Sequence, residues 1–181
     1  MSDRGTQLHA TADVQVAELV ELLKRLDETA LRLPCLRRER LGDGTVAAAA
    51  QHTADNYQRI AELVQTSDRM SAGRGAGGNR AHRIPRFLRA VGHGPTHHRP
   101  RGGHTDRYTA DKIDPAALIG QLSRTRDSLG RIAELTNRQL DAIPPKDGFR
   151  FCDGQRTFEQ VLASLLKHQG HQIDALTAAI P

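Results

Sequence analysis

His52 and His168 lie more than a hundred residues apart, yet each falls in a stretch with helical periodicity. Imidazoles projecting from two facing helices can hold a transition-metal ion between them, with a third donor one turn along. After His168 that turn offers two candidates, His171 at three residues and Gln172 at four. His52, His168 and one of these two are thus the residues whose types and spacing could carry metal chemistry. The plainer alternative, two unrelated polar side chains on helix flanks, stays open at this level. Asp55, one turn beyond His52, could orient a ligand or a water, although a solvated helix acid is the simpler reading.

Four amphipathic stretches are expected to position these residues. The first spans about 7–32, with Val14, Val16, Leu19, Leu22, Leu23 and Leu26 as its apolar stripe and Pro34 as its stop. The second starts at the capping Thr45 and carries Val46, Ala50, Thr53, Tyr57, Ile60 and Val64, with His52 on the flank of that stripe. The third covers about 114–143, from an Asp114 cap followed by Pro115 to Pro144-Pro145. The fourth starts near Thr157. At about 100° per residue, Gln169 falls near the centre of its stripe, Gln172 inside the margin, His168 at the edge and His171 toward solvent. Polar groups within an apolar stripe need partners, since an unpaired buried polar group costs about 1–3 kcal/mol.

The helical pattern fails between Ser67 and about Lys112, where Gly and Pro are dense and only 84–91 reads as a short helix. Such a long connection would let the second and third helices run parallel. Residues 69–105 hold eight arginines and no acid, so the remaining 18 bases face 21 acids and the basic character is local. Of the 26 basic residues 22 are Arg, which with abundant Ala and Gly fits a GC-rich genome. His82, His93, His97, His98 and His104 in this segment could chelate metal, but a solvated Arg/Gly/His-rich loop is favoured. Phe87 is the segment's one stacking surface, so nucleic-acid binding is disfavoured.

Composition agrees with packed helices. Tryptophan is absent, and Tyr57, Tyr108, Phe87, Phe149, Phe151 and Phe158 are the aromatic residues, so the core must be aliphatic. Cys35 and Cys152 are too few for a disulfide framework and form no Cys-x-x-Cys pair. Both read as thiols, with ordinary packing favoured over a nucleophilic Cys35. No apolar run is long enough to span a bilayer and no signal segment is evident, which makes a cytoplasmic protein the expectation. Phosphate-binding glycine loops, a serine nucleophile elbow and a His-Glu-x-x-His helix are all missing.

The second-helix segment Gly44-Thr45-Val46-Ala47-Ala48-Ala49-Ala50-Gln51-His52, with valine six residues before the histidine, resembles a motif of the DinB/YfiT-like superfamily of metal-dependent helical proteins. The segment from Thr157 to His168, with histidine eleven residues after the cap, is similar to that superfamily's last helix. The resemblance spans the four helices and leaves out 69–105. It implies three histidine ligands, one on the second helix and two a turn apart on the fourth. His52 and His168 match two of them, and the third position falls on Gln172, with His171 just before it. An amide oxygen is a poorer donor than imidazole for zinc or nickel. The resemblance implies that the helix turns to use His171, that the ion is weakly held, or that the site has lost it. At ~1.5 Å per residue, His52 lies roughly 10–12 Å into its helix and His168 roughly 16–17 Å into its own. In antiparallel helices with matched ends they would share a level to within one or two turns.

The expectation is therefore an all-α chain, a single DinB-like four-helix bundle over 1–181 with a long crossover between the second and third helices and a flexible insertion at about 69–112. The resemblance implies a divalent ion, zinc or nickel, held by His52, His168 and Gln172 or His171. It also implies a small-molecule or low-molecular-weight thiol substrate, and transfer of that thiol or metal-assisted hydrolysis as the reaction. A homodimer is admitted and a membrane partner is not expected. The competing reading is a non-catalytic interaction protein, with the bundle as scaffold and the basic loop contacting an acidic partner or nucleic acid.

Overall fold

The structure, a computed structural model, describes residues 2–35, 41–67, 108–146 and 151–180. These residues are mostly helical, and the sole β feature among them is an isolated antiparallel bridge between Pro34 and Thr45. Four long helices dominate: α1 (Asp3–Lys24), α3 (Val46–Gln65), α4 (Pro115–Leu129) and α6 (Phe158–Ala179), with single-turn α2 (Glu28–Leu31) and α5 (Asn137–Leu140) between them. The basic segment 69–105, its five histidines and the short helix read at 84–91 lie outside the described residues.

Caps explain where the helices start. Thr45 Oγ1 accepts a hydrogen bond from Ala48 N at the head of α3. Thr157 forms a reciprocal capping box with Gln160 at the head of α6. The first and third helices are shorter than their periodicity suggests. Asp27 accepts from Ala30 N and restarts the chain as α2, so the first long helix ends at Lys24. After Leu129 the chain tightens into a 3₁₀ segment, Gly130–Glu134, and a capping box between Thr136 and Gln139 begins α5. Apolar residues continue through both breaks, so periodicity alone runs across them. Val14, counted in the α1 stripe, is 56% exposed.

Both α1 and α3 pack against α4 and α6. Side-chain pairs set the directions. Arg4 near the start of α1 pairs with Glu159 at the start of α6, and Gln15 reaches Leu166 O farther along, so α1 and α6 run in the same sense. Asp13 pairs with Arg126 (2.8 Å), and Gly5 meets Ile132, so α4 runs opposite to α1. Cys35, held beside the start of α3 by its N–H to Gly44 O, donates to Ala175 O near the end of α6, which sets α3 antiparallel to α6. The core between them is aliphatic, with Leu19, Leu23, Ile60, Leu122, Leu129, Leu162 and Leu166 fully buried around Tyr57 and Phe158. Burial pushes the Tyr57 phenol pKa far above its ordinary value, so it stays a neutral donor to Gln15 Oε1 at 3.0 Å. Among the described residues no helix is long and apolar enough to cross a membrane.

Gly5 is where α1 touches the 3₁₀ segment. A Cβ there would stand 2.7 Å from Ile132 O, a backbone atom that cannot swing aside. Helix propensity favours alanine by at most ~1 kcal/mol, whereas overpacking costs ~1–3 kcal/mol. Gly5→Ala should therefore lower the urea midpoint, with a net loss of stability of about 1 kcal/mol. A midpoint that rises instead would mean that this contact is looser than described.

Candidate metal centre

The seam between α3 and α6 carries three buried polar residues, Thr53, Gln169 and Gln172, in a largely aliphatic interior. Gln169 is 1% exposed and Gln172 4%, His52 and His168 are half-buried, and His171 is exposed. Gln169 Nε2 donates to Thr53 O at 2.8 Å, and its Oε1 accepts from Asn56 Nδ2 at 3.3 Å. The same Asn56 amide faces His52 Nε2 at 3.0 Å. An amide nitrogen can only donate, so this polarity makes His52 Nε2 an acceptor, as in the neutral Nδ1–H tautomer. On the other side of the seam Gln172 Nε2 faces His168 Nε2 at 3.0 Å. Each histidine thus meets a carboxamide four residues along its own helix, and the Asn56–Gln169 bond joins the two helices between them.

Aromatic rings flank both imidazoles. Tyr108 sets its ring edge-on to His52, with centroids 6.1 Å apart and planes at 88°. Phe151 lies 6.2 Å from His168 at a tilt of 49°, and the Arg156 guanidinium covers the Phe151 ring. Tyr108 falls inside the stretch read as a flexible insertion, but its hydroxyl donates to Asp55 Oδ2 at 2.8 Å and a 3₁₀ turn, Ala110–Lys112, follows it. Asp55 is not the simple solvated acid of the plainer reading, because its other oxygen accepts from Gln51 at 2.8 Å and Gln121 at 3.2 Å.

The loop before α3 delivers Tyr108. Asp43 N donates to Tyr108 O at 3.0 Å, and Asp43 Oδ2 accepts from Ala110 N at 2.8 Å. Its Oδ1 accepts from the Thr45 hydroxyl at 2.6 Å. Burial pushes the Asp43 carboxyl pKa up, but these hydrogen bonds outweigh it and hold the group below the usual carboxylate range.

The donors an ion would use are the two Nε2 atoms, each of which already faces a carboxamide nitrogen at 3.0 Å, and, after rotation of its amide, the Gln172 oxygen. The described residues hold no group of three or more His, Cys, Asp or Glu that could take a metal. A closed zinc site needs four protein ligands and an open one three. This set therefore fits a weakly held, partly hydrated ion and does not fit a closed structural zinc. His171, on the exposed side of α6, is the poorer third candidate of the two. Cys35 and Cys152 are buried thiols. Asn56 and Tyr108 are not among the candidate residues that the sequence singles out. The His-x-x-x-Asn spacing of residues 52–56 was a readable signal, since it repeats as His-x-x-x-Gln at 168–172. Tyr108 had no local signal.

No family model, curated protein or solved structure matches the chain.

Proposed function

We propose that this chain is a DinB-like four-helix bundle, with the segment between α3 and α4 as its crossover, that binds a divalent ion such as zinc or nickel at His52 and His168. The observation that carries the reading is the paired geometry of the seam: on two facing helices, each histidine points its Nε2 at a carboxamide one turn along. Gln172 is the third donor. When bound, the ion would act as a Lewis acid on a thiol or a water, the chemistry expected of a thiol transferase or hydrolase. The chain's own part is to orient both imidazoles.

Metal uptake by tag-free protein tests this. After chelator treatment, titration with nickel or zinc near pH 7.5 should show one site. His52→Ala and His168→Ala should each weaken it by roughly tenfold or more, or ~1.4 kcal/mol, while His98→Ala should not. Equal effects from all three substitutions would overturn the assignment.

A second reading has its own support. Every buried side-chain nitrogen and oxygen among the described residues already has a hydrogen-bond partner. A seam complete in itself also suits a scaffold that kept the bundle without the ion, with residues 69–105 meeting an acidic partner. Absence of metal uptake would favour it.

A further inference from the structure

We infer that Tyr108, anchored by Asp55, is a positioning residue for the His52 imidazole. The inference gains its functional meaning from the metal reading above, but its geometry stands alone. Tyr108 is fixed at both ends. Its carbonyl accepts from Asp43 N, and its hydroxyl donates to Asp55 Oδ2. Asp55 is itself held by amides from two helices, Gln51 of α3 and Gln121 of α4. A ring pinned at backbone and tip has little freedom, and its contact with His52 is edge-on, an arrangement that aromatic quadrupoles favour. Asn56 holds His52 at Nε2 in the metal-free protein and would give that atom up to an ion, so Tyr108 is the contact that stays with the ring. Together they hold the imidazole in one rotamer before any ligand arrives. Hydrogen-bond partners of a ligand histidine's other nitrogen are worth about 10–100-fold in metal affinity, and a ring contact that fixes the imidazole acts in the same direction, toward the low end of that range.

The test reads the metal-free protein first. The imidazole resonances of His52 are assigned by their loss in His52→Gln. Tyr108→Leu removes both ring and hydroxyl and should shift and broaden those resonances, leaving His9 and His171 unmoved. Tyr108→Phe keeps the ring but loses the Asp55 anchor, so it should broaden the His52 signals with a smaller shift. Because it retains the packing, it keeps the test valid if Tyr108→Leu does not fold. Nickel affinity should fall about tenfold in Tyr108→Leu and less in Tyr108→Phe. His52 resonances unchanged in a folded Tyr108→Leu protein overturn the inference. If wild-type protein takes up no nickel, the metal reading fails, while the His52 resonances still decide whether Tyr108 positions the ring.

Discussion

If the seam holds an ion as proposed, Gln172→His is expected to turn its weak site into a firm one. Gln172 is buried, and its amide nitrogen lies 3.0 Å from His168 Nε2, so the position already faces the candidate ligand. A carboxamide oxygen is a neutral, hard donor, whereas imidazole suits zinc, nickel and copper. Supplying a third imidazole should tighten binding on the order of 10- to 100-fold, or ~1.4–2.8 kcal/mol. At a fixed saturating metal concentration the same factor appears as added stability, because only the native state presents the assembled site. In a chain of this length that corresponds to a melting shift of roughly 3–10 °C. Without metal the variant should melt close to wild type, since a neutral imidazole at 172 can still donate its one N–H toward His168. His171→Ala should change little, as that side chain is on the exposed side of α6. Uptake abolished by His171→Ala and unaffected by Gln172→His would move the third donor to His171. No uptake in either the wild type or Gln172→His would end the metal reading altogether.

What the sequence made readable, and what it hid, follows from the range of each interaction. Thr45 and Thr157 mark their helices because a cap bonds within three residues. The helical wheel separates Gln172 from His171 because one residue turns the side chain by about 100°, and burial follows that phase. The breaks after Lys24 and Leu129 escaped for an equally local reason. Leu26, Leu31, Ile132 and Leu135 keep an apolar rhythm across them, while Asp27 restarts the backbone through one side-chain hydrogen bond and Thr136 through its capping box with Gln139. The environment of His52 is non-local: Gln169 lies on another helix, and Tyr108 is placed by a loop some sixty residues earlier. In sequence Gly42-Asp43-Gly44 looks like any polar turn. Its role as a clamp appears only with its partner in place.

That clamp predicts the largest single loss of stability considered, from Gly42→Ala. Gly42 has φ +56°, in the left-handed region, and a Cβ there would fall 1.9 Å from Tyr108 O. The conformation alone costs alanine ~1–2 kcal/mol. Relieving the clash must move backbone on one side or the other, at a further ~1–3 kcal/mol. The total of about 3 kcal/mol corresponds to a melting decrease of roughly 6–12 °C. Gly154 separates the two contributions. It has φ +78°, but among the described residues its added Cβ would meet nothing closer than Lys146 Cβ at 3.6 Å, an ordinary contact. Gly154→Ala should therefore show only the conformational cost, and the difference between the two variants measures the approach of Tyr108 to the loop. The strain at residue 42 should also pull Tyr108 away from Asp55. With no tryptophan and two tyrosines in the chain, tyrosine fluorescence should report that release when Gly42→Ala is compared with Gly42→Ala/Tyr108→Phe. Equal losses in Gly42→Ala and Gly154→Ala, with no change in Tyr108 emission, would mean that the loop does not grip the residue. The His52 ring would then owe its orientation to Asn56.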